Sequence, residues 1–169
     1  TMQELKKHEI KIKQNKKITH YSYGRYGSST TIELENILKE LENAYHVFLT
    51  GTGFGGIALA LMSLCRPGDE ILVSDNVYGP TKEISEKLLK EFNINALFYN
   101  PDSFEDLKKK VSKKTKMILV ENPGSITFEF QDLSKIVSLA KKNNILTLLD
   151  NTWGTPLYLK PLDLGFDIS

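Results

Sequence analysis

Five short stretches of this chain carry residue types that do chemistry. The run N-I-L-T-L-L-D-N-T-W over 144–153 ends an apolar segment on Asp150. A carboxylate there is costly to bury unless a cation or a hydrogen-bond donor meets it. Asp150 is therefore either a turn cap or the partner of a cationic ligand group, such as a protonated ring nitrogen. The turn T-G-T-G-F-G-G at 50–56 leads into an apolar stretch. Backbone N–H groups at such a helix start, added to its dipole, suit a phosphate, and glycines leave room for it. Tyr78 precedes Gly79-Pro80, so its ring either packs locally or stacks flat on a planar ligand. The cluster Tyr23-Gly24-Arg25-Tyr26-Gly27 offers an arginine fork suited to phosphate. Glu121-Asn122-Pro123-Gly124-Ser125 adds a further polar turn.

The glycine turn does not name its ligand. Gly51, Gly53 and Gly56 satisfy G-x-G-x-x-G, and Asp75 lies at about the distance of a ribose-binding acid. A dinucleotide site thus competes with other phosphate ligands. A P-loop does not, since no Gly-Lys-Ser/Thr follows.

The elements that must position these residues read as alternating strands and helices. Strands are expected over 45–49, 70–74, 96–99, 117–121 and 145–149, each a short apolar run. Thr30 with Glu33 reads as a capping box for a helix carrying Leu34, Ile37, Leu38 and Leu41. Residues 57–65 read as an apolar helix stopped by Pro67-Gly68. Thr81 is expected to cap a helix ending near Phe92. Ser103 with Asp106, and later Asp132, open two more helices. This alternation predicts an α/β fold with a doubly wound, mostly parallel sheet. Four of the five polar stretches then fall at strand ends, the edge where open α/β sheets take their ligands.

Composition narrows the class. With 169 residues, 40% of them hydrophobic, the chain can bury one ordinary core. A formal net charge of +1 gives no field directing it to nucleic acid or a membrane, and no apolar run reaches membrane-span length. The lone Cys65 excludes an internal disulfide and a multi-cysteine metal site, and reads as a buried, inert thiol. A soluble cytoplasmic protein is expected, with no metal. Residues 1–20 form a lysine-rich basic arm, solvated or reaching a partner subunit.

Taken in order, Y-G-R at 23–25, T-G-T-G-F-G-G at 50–56, R-P-G-D at 66–69, D-N-V-Y-G-P-T at 75–81, E-N-P-G-S at 121–125, D-N-T-W at 150–153 and the closing L-D-L-G-F-D-I-S resemble one family. It is that of the pyridoxal-phosphate enzymes of cysteine and methionine metabolism. The resemblance runs from residue 21 to residue 169. It implies part of the large domain of a fold type I, aspartate-aminotransferase-like enzyme, with the Schiff-base lysine and a C-terminal domain lying beyond Ser169.

The resemblance also implies roles. Thr52, Gly53 and Phe54 hold the phosphate of pyridoxal 5'-phosphate, and Tyr78 stacks on its ring and takes part in proton transfer as the catalytic residue within this stretch. Asp150, with Thr152 beside it, keeps the ring nitrogen protonated. Tyr23 and Arg25 reach the phosphate of a neighbouring subunit, so a dimer or tetramer with shared active sites is expected. Ser125 lies near a small sulfur amino-acid substrate, and Gly124-Ser125 points to the β-eliminating branch. The implied activity is carbon–sulfur lysis of cystathionine in methionine biosynthesis, with this stretch inactive by itself. The γ-acting branch and a non-catalytic nucleotide-binding domain are the alternatives.

Overall fold

In the computed structural model, residues 24–169 are described. Tyr23 and the basic arm of residues 1–20 lie outside them. The chain divides into two compact units, one of residues 1–40 and 44–49, the other of residues 41–43 and 50–169.

A single 3-10 turn, Gly24–Tyr26, precedes helix α1, Ser29–Glu42, all but the last two residues of which belong to the first unit. The expected capping box at Thr30 and Glu33 is not what starts it. Ser28 and Thr31 bond reciprocally instead, Ser28 N donating to Thr31 Oγ1 at 2.8 Å and Thr31 N to Ser28 Oγ at 3.3 Å. The helix therefore begins two residues earlier than a Thr30 cap would set it, and Thr30 lies inside it. Residues 45–49 are not a strand. A strand exists only when a neighbour supplies its hydrogen bonds, and no described strand pairs with this segment.

The second unit is a four-stranded, all-parallel sheet of order β2-β1-β3-β4. Helix α2 is Gly53–Leu64, and strand β1, Glu70–Ser74, follows the turn R-P-G-D. In that turn Asp69 Oδ2 accepts from Arg66 N at 2.7 Å, and Gly68 takes φ +98°, which a side chain resists. Helix α3 begins over Gly79–Glu83, widens to a π-helical turn at Ile84–Leu88 and closes at Leu89–Glu91. Strand β2 is Asn95–Tyr99, helix α4 Phe104–Lys110 and strand β3 Thr115–Glu121. Helix α5, Leu133–Asn143, leads to strand β4, Leu146–Asp150. Two short helices follow, α6 at Thr155–Tyr158 and α7 at Pro161–Leu164.

The helix starts expected at Ser103 and Asp132 form. Ser103 Oγ accepts from Asp106 N, and Asp132 Oδ1 from Lys135 N. Thr81 is not a cap. Tyr78 occupies that position, Pro80 fills the first turn where a missing N–H does no harm, and Thr81 is buried inside the helix with its hydroxyl unpaired among the described residues.

Alternation along the strands builds two cores. Ile71, Val73, Met117, Leu119 and Leu148 face one side with Ile57 and Leu61 of α2 and Ile84 and Leu89 of α3. Leu72, Ile118, Val120 and Leu149 face the other with Leu107 of α4 and Ile136, Val137 and Ala140 of α5. Helices thus cover both faces, as a doubly wound sheet requires. The order places β1 and β2 on one side and β3 and β4 on the other of a switch point between β1 and β3.

Candidate cofactor site

The apolar runs M-I-L-V-E and L-T-L-L-D both end in an acid. Parallel register sets Glu121 of β3 directly beside Asp150 of β4. Asp150 is half-buried. Its Oδ1 accepts from Thr152 N at 3.0 Å and from Thr152 Oγ1 at 2.6 Å. Among the described residues no donor meets Oδ2 and no cation pairs with the carboxylate. One oxygen thus shapes the turn, as the cap reading of Asp150 expects, and the other meets no described donor.

The switch point is stitched by its own loops. Tyr78 N donates to Glu121 Oε2 at 2.6 Å, and Ser125 N donates to Asn76 O at 2.9 Å. Gln131 Nε2 donates to Ser74 Oγ at 3.0 Å. The turns after β1 and β3 thereby lock together, bringing Tyr78 and Ser125 to the same end of the sheet. Gly124 is required by this contact: a Cβ there would stand 2.3 Å from Asn76 Nδ2. Tyr78 is about half exposed, at 48%.

Glu121 is 3% exposed, and burial pushes its carboxyl from 4.5 up to about 7. The Tyr78 N–H opposes that rise, the Asp150 charge adds to it, and the Ser125 and Trp153 side chains favour the ionised form. The sequence reading assigned Glu121 no role. The signal was available in the two aligned runs that each end in a carboxylate.

At the start of α2, Thr52 is the N-cap, its Oγ1 accepting from Gly55 N at 2.9 Å and its carbonyl from Gly56 N at 3.2 Å. The Gly53 and Phe54 N–H groups donate to no described residue. A Cβ on Gly51 or Gly53 would meet nothing within 4 Å, so the approach to these donors is open. Ile57 and Leu61 of α2 share the core with Val73 and Val77, which ties this helix to the sheet edge carrying Tyr78.

Asp75, the candidate ribose ligand, is paired with Lys82 at 2.5 Å. No described strand precedes the glycine turn, as a dinucleotide fingerprint requires. Arg25 is exposed in the first unit. Cys65 is 3% exposed and its thiol is pushed up to about 11 by burial, then by Asp69, as expected of an inert thiol. No helix among the described residues is long and apolar enough to cross a membrane, and no group of three or more His, Cys, Asp or Glu side chains there is placed to hold a metal.

Comparison with known proteins points the same way. The family model described as Cys/Met metabolism PLP-dependent enzyme matches residues 2–169. A putative cystathionine beta-lyase of Saccharomyces cerevisiae is 43% identical over 147 residues, covering 87% of this chain and 43% of that protein. The cystathionine gamma-lyase of Lactobacillus plantarum, solved with L-serine, superposes with a TM-score of 0.84 at 30% identity, over 89% of this chain and 39% of that one. A putative O-acetylhomoserine (thiol)-lyase of Campylobacter jejuni, solved with N'-pyridoxyl-lysine-5'-monophosphate, gives a TM-score of 0.87 at 28% identity, over 97% and 40%. The chain thus spans about two fifths of the length of the relatives it matches. Its sheet is that of the fold type I large domain, in part, and the chain belongs to the pyridoxal-phosphate-dependent enzymes of cysteine and methionine metabolism.

Proposed function

We propose that this chain forms the cofactor-holding portion of a carbon–sulfur lyase that cleaves cystathionine by β-elimination. With water, cystathionine then yields homocysteine, pyruvate and ammonia. The observation that carries the reading is a carboxylate with a donor-free oxygen and a half-exposed tyrosine at the ends of neighbouring strands, with a helix packed on the same sheet whose start has two unused N–H groups. These are the three contacts that a ring nitrogen, a ring face and a phosphate need, so the residues present fit pyridoxal phosphate.

Gly53 and Phe54 N–H hold the phosphate at the α2 dipole, with the Thr52 hydroxyl proton as a further donor. Tyr78 stacks on the ring face and its phenol moves a proton near the reacting carbon. Asp150 Oδ2 holds a proton on the ring nitrogen, and Thr152 fixes the other oxygen so that the carboxylate is aimed. Bound there, pyridoxal phosphate supplies an electron sink for the carbanion left when the Cα proton departs. Ser125 faces the substrate at the same end of the sheet. Tyr23 and Arg25 extend to the phosphate of a neighbouring subunit, in a dimer or tetramer.

Relatives of both β- and γ-lyase type match this chain, so the product decides the branch. Cystathionine incubated with the complete enzyme of which this chain forms the cofactor-holding portion should give pyruvate. 2-Oxobutyrate instead assigns the γ-acting branch. No cofactor binding, together with nicotinamide-dinucleotide binding lost in Asp75→Ala, replaces the reading with a nucleotide-binding domain.

A further inference from the structure

Among the described residues, Glu121 is the one buried carboxyl that reaches three of the turns at the strand ends. Its Oε2 takes the Tyr78 N–H at 2.6 Å from the start of α3. Ser125 bears on it from the turn after β3, and Trp153 from the turn after β4. Asp150 stands beside it in the β3–β4 register and is the charged group that faces it. Among the described residues no lysine or arginine is paired with either acid. A hydrogen-bond pin for the Tyr78 amide needs only a neutral oxygen. A second acid behind Asp150 raises the energy of the empty site, and lowers it once a cation arrives.

We propose that Glu121 is a positioning residue of the cofactor site: it pins Tyr78 through the backbone, and its carboxyl backs Asp150 with a second negative charge that strengthens the hold on a cationic ring. The inference rests on the pyridoxal-phosphate reading of the site. It has two separable consequences. The pin acts at every pH and needs an oxygen at this position, so Gln preserves it and Ala does not. The charge acts only when the carboxyl is ionised, so Gln lacks it, and its effect grows as pH rises through neutrality.

The sole tryptophan, Trp153, lies in the turn after Asp150, so quenching of its fluorescence during pyridoxal-phosphate titration reads the site without any turnover. At about pH 8.5, Glu121→Ala should weaken binding roughly 10- to 100-fold, the consequence of leaving the Tyr78 N–H unmet. Glu121→Gln should bind like wild type at about pH 5.5 and at least about fivefold more weakly at about pH 8.5. A ratio of Glu121→Gln to wild type that stays flat across this range overturns the charge, and Glu121→Ala binding like wild type overturns the pin. Should Glu121→Ala not fold, Glu121→Gln still decides the charge, and Glu121→Leu, which fills the space without an oxygen, decides the pin by the same titration. If wild type binds and Asp150→Asn weakens it while both Glu121 variants match wild type, this inference alone falls. If wild type binds no pyridoxal phosphate, the functional reading falls and takes the inference with it.

Discussion

Replacing Glu121 by Gln should make the cofactor-free protein more stable above neutral pH, and the size of the gain follows from the fold. The unfolded chain releases this proton near 4.5, whereas the folded chain keeps it to about 7. Between those values the folded state binds more protons, so stability falls as pH rises. The contribution is fully present below 4.5 and fully lost above about 7. At 1.36 kcal/mol per unit, the loss is about 3 kcal/mol. Glutamine keeps the shape and an oxygen for the Tyr78 N–H but has no proton to release. Urea unfolding midpoints of wild type and Glu121→Gln, taken without cofactor at several pH values, give the difference directly. Subtraction cancels the groups that do not interact with Glu121, including Glu42, whose carboxyl is also raised by burial. Glu83, Asp106 and Asp132 are lowered by their lysine partners and titrate below the window. The variant should gain about 3 kcal/mol on wild type between the acid and alkaline ends. Two stability profiles that run parallel across this range would refute the buried, cation-free carboxyl.

In the complete enzyme Asp150→Asn should lower turnover by roughly 100-fold or more, since the ring nitrogen loses its anionic partner, while thermal stability moves by less than about 1 kcal/mol because the Thr152 bonds survive on an amide oxygen; near-normal turnover removes Asp150 from this role. Gly124→Ala forces Asn76 out of its bond to Glu129, and should cost about 1–3 kcal/mol in chemical denaturation; an unchanged midpoint shows that the two turns are not locked. Arg25→Ala should weaken cofactor retention and be rescued in mixed dimers by an intact neighbour, whereas no recovery from complementary mutants ends the shared-site proposal. Cys65 should resist thiol reagents in the native protein and react at the rate of unfolding, so rapid native labelling would contradict its burial.

Much of this protein is legible locally. Buried strands of a parallel sheet are short apolar runs, and β1, β3 and β4 lie within two residues of where such runs place them. Ser103 and Asp132 start helices because a cap bonds an N–H only three residues away. The open glycine turn and the exposed Tyr78 follow from backbone sterics of Gly and Pro, which are equally short-ranged. The order of these motifs identified the family.

What depended on partners distant in the chain was decided only in the tertiary structure. Residues 45–49 have the composition of a strand, but pairing comes from a neighbour and not from composition. Thr81 has a capping residue's chemistry, yet Tyr78 and Pro80 set the helix start and packing buries the hydroxyl. Asp150 is conspicuous as the acid that ends an apolar run, while Glu121, ending a run just like it, acquires its meaning from elsewhere. Its amide partner is 43 residues away, and its neighbouring acid lies across a strand pair. Register and burial set the protonation of that carboxyl, because desolvation and like-charge repulsion act through space and leave no mark on the residues next to it in the chain.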